Sequence, residues 1–215
     1  MEITDIARQA KNPNRYNIFV DGEFAFGIDA SDLLRHKLAI GMKLDPALKD
    51  KLLNEVEFAR ARDAAVKHLG RGPKSAKEVA DRLAAKEFSP PTIARVMDLL
   101  AKHGYLDDAA FAAGFIRHKS GIKNYGKRRI VMELLQKGVA KDIILAGFAQ
   151  IFEETDGADE VAAAVRALEK KLRGKDTRAI FADHKEKARL TAFLARRGFS
   201  YDVIKKALGQ TQGQN

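Results

Sequence analysis

Two hydrophobic periods divide the chain. Up to about residue 30 the apolar residues fall in short, β-rich runs: Ile3 and Ile6, then Tyr16–Asn17–Ile18–Phe19–Val20, then Phe24–Ala25–Phe26–Gly27–Ile28. Asp21–Gly22 separates the last two runs and predicts a hairpin, because both residues tolerate the positive φ of a type I′ turn. In a two-residue hairpin Phe19 faces Phe24, and Phe26 is expected on the same side, so that an aromatic face needs something to pack on. A short helix is expected from Ser31 to about Leu38. At Asp45–Pro46 the period lengthens: Leu48, Leu52, Val56, Ala59, Val66 and Leu69 keep helical spacing. Asp suits the N-cap, and Pro at the first helical position has no amide hydrogen to leave unpaired. Gly70 and Gly72–Pro73 end this long helix.

Beyond that point one pattern occurs three times. Val79, Ile130 and Leu190 are each followed four places on by leucine (Leu83, Leu134, Leu194) and three places later by a cation (Lys86, Lys137, Arg197). Then come Glu87, Gly138 or Gly198, next Phe88, Val139 or Phe199, and five residues further Ile93, Ile144 or Ile204. The offsets are 51 and then 60 residues throughout. Such self-similarity marks a repeat architecture. Each block reads as helix, tight turn, helix. Gly138 and Gly198 suit the left-handed residue that closes a helix. Ser89 and Ser200 suit the N-cap of the next, although Ala140 is a poor cap. The pairs Phe88/Ile93, Val139/Ile144 and Phe199/Ile204 hold the positions of a hydrophobic staple. Ser75 with Glu78 is a capping box, and Leu106–Asp107–Asp108 with Phe111 starts the first helix of the second unit.

The expected fold is therefore mainly α: three tandem three-helix, helix-turn-helix-like repeats forming an elongated curved array, with a small N-terminal β-hairpin extension. The expected divisions are 1–44 for the hairpin and short helix, 45–105 for the long helix and first repeat, 106–152 for the second, 153–209 for the third, and 210–215 for a disordered tail. Glu153–Glu160, with five acids in eight residues, reads as a solvated turn and helix start and not as a metal loop.

Charge narrows the function classes. The net charge is +10, yet residues 1–60 hold 9 Lys+Arg against 10 Asp+Glu, so residues 61–215 carry +11. A basic surface of this kind attracts polyanions, chiefly nucleic acid or anionic membrane, and nucleic acid, or a protein coated on it, is the partner expected. Cys is absent, which removes disulfides and thiolate metal sites and fits a cytoplasmic location. The N-terminus lacks a signal-peptide pattern, and no apolar run is long enough to span a membrane. A monomer is expected.

Catalytic chemistry finds no foothold. Gly121–Ile122–Lys123–Asn124–Tyr125–Gly126–Lys127–Arg128 has P-loop spacing, but Arg128 stands where Ser or Thr must hold magnesium, and the segment before it reads as helix. A glycine-punctuated loop entering the next helix is the reading adopted. His36, His68, His103, His118 and His184 are scattered without metal-ligand spacing, and Asp107–Asp108 fits a helix start better than acid–base work. No catalytic residue, metal site or cofactor is expected.

Arg117–Arg129 carries the strongest binding signal: Arg117, Lys119, Lys123, Lys127, Arg128 and Arg129, with no acid among thirteen residues and with Tyr125 and two glycines between. Phosphates take the point charges and forks that Lys and Arg supply. The competing reading is a solvated basic face. Smaller clusters are Arg166–Lys175 and the set Lys185, Lys187, Arg189, Arg196 and Arg197.

Three segments together resemble the RecX family. They are Lys11–Asn12–Pro13–Asn14–Arg15–Tyr16–Asn17–Ile18–Phe19–Val20–Asp21–Gly22–Glu23, then Gly104–Tyr105–Leu106–Asp107–Asp108 with Phe111, and Arg196–Arg197–Gly198–Phe199–Ser200–Tyr201–Asp202–Val203–Ile204. The resemblance covers nearly the whole chain. It implies three tandem three-helix units behind the hairpin extension of longer members. It also implies binding in the groove of the RecA filament on DNA, with inhibition of the RecA ATPase and of strand exchange, so that RecA and single-stranded, and also double-stranded, DNA are the implied partners. Two departures are Glu87, where the other units have glycine, and Gly72–Pro73–Lys74–Ser75, where the family usually has arginine before proline. The alternative is a helix-turn-helix factor acting on bare DNA. Against it, Thr92, Arg95, Lys141, Asp142 and Lys205 in the second helices share no base-contact pattern.

Overall fold

The computed structural model describes residues 1–10, 12–152 and 158–213. Most of the acid-rich segment expected as a turn, 153–157, and residues 214–215 lie outside it. Contacts group the chain into two compact units, residues 1–72 with 80–103, and residues 73–79 with 104–215.

The first unit opens on a three-stranded antiparallel meander, β1 (Ile3–Arg8), β2 (Arg15–Val20) and β3 (Glu23–Asp29), in the order β1-β2-β3. Asp21 (φ 49°) and Gly22 (φ 87°) make the left-handed turn that the sequence predicts. Phe19 pairs with Phe24, their rings edge-on with centroids 6.0 Å apart. The expected common aromatic face does not form. The register shifts between Ile18 and Phe19, which places Phe26 opposite Ile18. A bulge of this kind re-aims side chains: Phe26 is buried at 4 % exposure while Phe24 stands at 59 %. Only one sheet face is covered, and Phe26 joins Ile3, Ile18, Ile28, Leu52 and Val56 in the core there.

Helix α1 (Ala30–Arg35) is shorter than expected. Left-handed Lys37 (φ 52°) ends the segment, and Leu38 drops into the core instead of extending the helix. The long helix α2 (Pro46–Leu69) begins as its cap predicts, with the Asp45 carboxylate accepting the Leu48 N–H at 2.7 Å. Its buried face departs from the expected stripe. Leu52 and Val56 are buried, then Ala61 and Ala65, whereas Val66 is 52 % exposed. The two halves serve different neighbours: the first packs on the sheet, the second on α4 (Pro90–Lys102), where small residues allow close approach. Helix α3 (Ala76–Ala84) carries the full capping box, Glu78 N–H to Ser75 Oγ at 3.2 Å and Ser75 N–H to the Glu78 carboxylate at 3.1 Å.

Ser89 does not cap α4 with its side chain. Its N–H and hydroxyl both donate to Glu57 of α2, at 2.8 and 2.7 Å, and the Thr92 hydroxyl donates to the same carboxylate at 2.6 Å. Burial alone would raise the Glu57 carboxyl. The hydrogen bonds from Thr92 and Ser89, with the charge of Arg60, outweigh that and hold it below its ordinary value.

The second unit contains α5 (Asp108–Arg117), a π turn (His118–Ile122), α6 (Lys127–Gln136) and α7 (Lys141–Phe152) around Ala112, Ile116, Ile130, Leu134, Val139, Ile144 and Phe148. It continues with α8 (Ala158–Leu172), the short α9 (Thr177–Ala182), α10 (His184–Arg196) and α11 (Tyr201–Gly213), centred on Leu168, Leu190, Leu194, Phe199 and Ile204. Val139, Ile144, Phe199 and Ile204 are buried as their staple positions require. The expected disordered tail is helical through Gly213. Thr211 is 6 % exposed and its hydroxyl donates to the Ala207 carbonyl at 2.9 Å, so packing holds residues that composition alone leaves free.

Candidate functional site

The basic stretch sits where one repeat meets the next, and that meeting sorts its cations. At the turn of the second block, Ser75 Oγ donates to the Lys137 carbonyl at 2.6 Å. At the turn of the third, the Gly126 N–H donates to the Arg197 carbonyl at 2.9 Å, and the Arg128 N–H to the Gly198 carbonyl at 3.2 Å. Gly126 lies 51 residues after Ser75, and Arg197 lies 60 after Lys137, so one junction is made twice with different donors. The approach at the second junction is very close. A Cβ on Gly126 would come within 2.4 Å of the Gly198 carbonyl, and one on left-handed Gly198 within 2.4 Å of Arg129 Cβ. The Lys77 side chain likewise covers Gly138. Glu87 is exposed and takes the same left-handed conformation (φ 62°), which explains how this turn accepts a side chain where the other two cannot.

Three of the predicted site cations are held in this junction around Tyr125. Arg129 lies over the ring at 4.0 Å and Arg197 at 5.5 Å, with the Lys119 ammonium at 5.3 Å. Lys119 and Arg129 both reach Glu133, at 2.6 and 2.9 Å. Arg197 donates to the Lys123 and Asn124 carbonyls at 2.7 and 3.2 Å. Burial works to raise the Glu133 carboxyl, but the hydrogen bonds and charges of Lys119 and Arg129 hold it below its ordinary value. Glu78 is lowered against the same burial penalty by Lys137, Ser75 N–H and Lys74; the Lys137 ammonium sits 2.5 Å away.

Glu133 was not among the residues singled out from the sequence, yet it faces Arg129 one helical turn on, a spacing at which opposite charges meet. Around Tyr125 three cations stand beside one carboxylate, which pairs with only Lys119 and Arg129, so the cluster remains net positive.

The other candidates stand apart from it. Arg117, Lys123 and Arg128 are exposed and make no ion pair among the described residues. Lys127 is exposed, with its ammonium 5.2 Å from the Phe148 ring. In the third repeat Lys185 and Arg196 are exposed, Lys187 is half-buried, and Arg189 is paired with Glu186.

The P-loop-like segment has no phosphate cradle. A helix and a π turn precede it, not a strand. The first amides of α6 are spent on protein oxygens: Gly126 and Arg128 on the turn carbonyls, Lys127 on Glu160 at 2.9 Å. No helix among the described residues is long and apolar enough to cross a membrane.

Four family models match the chain in order: the regulatory protein RecX N-terminal domain over residues 1–45, and the RecX first, second and third three-helix domains over 61–100, 107–146 and 158–208. The regulatory protein RecX of Bacillus subtilis (strain 168) is 35% identical over 213 residues, which cover 99% of this chain and 78% of that protein. That of Clostridium botulinum (strain Eklund 17B / Type B) is 29% identical over 204 residues, 95% of this chain and 93% of that one. Among solved structures, the crystal structure of a regulatory protein RecX superposes with a TM-score of 0.66 at 22% identity, over 96% of this chain and 98% of that one. RecX from Lactobacillus salivarius gives 0.58 at 19%, over 73% and 97%.

Proposed function

The chain belongs to the RecX family of regulatory proteins, and from that premise we propose that it binds the RecA–DNA filament and restrains RecA's ATPase and strand exchange, as a negative regulator of homologous recombination without catalysis of its own. It acts in the cytoplasm as a monomer. The observation that carries this reading is the sorting of the basic stretch. Lys119, Arg129 and Arg197 fix the repeat junction, while Arg117, Lys123 and Arg128 stay exposed without ion-pair partners among the described residues. Free cations on a rigid junction suit a fixed, polyanionic surface, and a protein filament wrapped on DNA presents one.

The reading as a base-reading helix-turn-helix factor loses support in the first repeat. Thr92 is buried and bonded to Glu57, so it cannot meet a base edge, while the exposed Arg95 lies over the Phe58 ring at 4.1 Å. The test compares binding of the purified chain to bare single-stranded DNA, bare duplex and RecA-coated single strands. Tighter binding to the coated strand is expected. Equal or weaker binding there would favour a factor acting on bare DNA.

A further inference from the structure

One contact recurs along the repeats. Asp108, in the first turn of α5, accepts the Ala76 N–H at 2.9 Å, and Glu160, in the first turn of α8, accepts the Lys127 N–H at 2.9 Å. Ala76 and Lys127 are 51 residues apart and equivalent. Twice, then, the first helix of one repeat brings a carboxylate to the second helix of the repeat before it.

In the second repeat this contact brings the first turns of α8 to the edge of the groove between α6 and α7. A cavity of about 320 Å³ remains there, lined by Lys127, Leu145, Phe148, Ala149 and Phe152 together with Glu160 and Ala163 of α8. Sixty residues on from the first five stand Lys187, Lys205, Leu208, Gly209 and Gln212. They line an open groove of about 720 Å³ whose walls come from α10 and α11 alone. The same groove is bordered by the start of a helix in one repeat and open in the next.

We propose that this α10–α11 groove is a docking site for an acidic amphipathic helix of a partner protein. The edge of the second repeat's groove supplies the template: the start of a helix with a carboxylate in its first turn and a small residue three places on, Glu160 and Ala163. The open groove has an apolar floor, Ile204 and Leu208, with exposed Ala188 and Ala192 beside it. Its rim is basic. Lys187 keeps the place of Lys127, Lys205 replaces Leu145, and His184 joins them. The α10 N-terminus is already closed by Asp183, which accepts the Lys185 N–H at 2.7 Å. The incoming carboxylates therefore meet the ammonium groups of Lys187 and Lys205 and not backbone amides. A second copy of this chain is a poor occupant, because the net charge of +10 sets like against like.

The test uses the full chain and a synthetic peptide of its own residues 158–172, made acidic by Arg166→Glu, Lys170→Glu and Lys171→Glu, with a scrambled peptide of equal composition as control. Binding is read by anisotropy and by backbone chemical-shift changes. Saturable binding is expected, with shifts centred on Ala188, Ala192, Tyr201, Lys205 and Gly209. Lys187→Glu with Lys205→Glu should weaken it about tenfold, and Ala192→Arg should also weaken it although it adds a positive charge. Equal binding of the scrambled peptide, shifts centred elsewhere, or an unchanged affinity in the double variant would overturn the assignment. Concentration-dependent dimerisation abolished by Ala192→Arg would give the groove to a second copy and overturn it as well. Neither RecA nor DNA is present, so the outcome is independent of the filament reading.

Discussion

Gly126 and Gly198 face one another so closely that neither tolerates a methyl group without backbone movement. Gly126→Ala should destabilise the second unit by about 1–3 kcal/mol, the usual cost of overpacking. Gly198→Ala adds the strain of its left-handed backbone. Urea unfolding reads both, and an unchanged midpoint for Gly126→Ala would contradict the close junction. The acids Glu57, Glu78 and Glu133 belong to the same scale. All three titrate below the ordinary 4.5 because their hydrogen-bonded cations and donors outweigh burial. A carboxyl depressed in the folded state stabilises the fold above its unfolded value and loses that contribution as pH falls through the folded one. Stability should therefore drop on acidification below about 4.5, and Glu133→Gln should make the drop shallower. An identical pH profile for Glu133→Gln would show that the Lys119–Glu133–Arg129 cluster adds nothing to folding.

Single elements were legible wherever one local rule acted alone. The capping box at Ser75–Glu78, the turn at Asp21–Gly22 and the glycine-closed turns at Gly138 and Gly198 are short-range chemistry, and each forms. Ile144 is fully buried, as its staple position requires. Ile144→Asp would put an unpaired charge in that core and should cost several kcal/mol, often enough to unfold a marginal domain; a thermal midpoint equal to wild type would reject the assignment. What stayed hidden depended on distant neighbours. The β3 bulge answers to which sheet face is covered, and the drift of the α2 stripe to a helix that packs on two partners. Ser89 gives its hydroxyl to Glu57, 32 residues earlier in the chain. The candidate site shows the same limit. Counting cations found the basic stretch, but which of them are consumed, by Tyr125, by Glu133 or by the carbonyls of residues 123 and 124, depends on a junction between repeats that no local pattern displays.

At the scale of the whole molecule, the proposed function asks a basic chain with close repeat junctions to act by presenting charge. The amides of the P-loop-like segment are committed to protein oxygens, so the chain alone should not turn over ATP. Robust turnover lost in Lys127→Ala would contradict that.

The central claim concerns the exposed cations of the second repeat. Arg117, Lys123 and Arg128 can be reversed to glutamate without touching the cluster around Tyr125, so circular dichroism should be unchanged. RecA ATPase on single-stranded DNA, titrated with wild type and with this triple variant at several salt concentrations, is the most direct measurement. Inhibition by the variant should be clearly weaker at every salt concentration. If DNA phosphates are the contact, the log–log salt slope of binding should also flatten by about 0.7 to 0.9 per lost contact. Equal inhibition by a folded variant would show that these cations are only a solvated face, and would contradict the account.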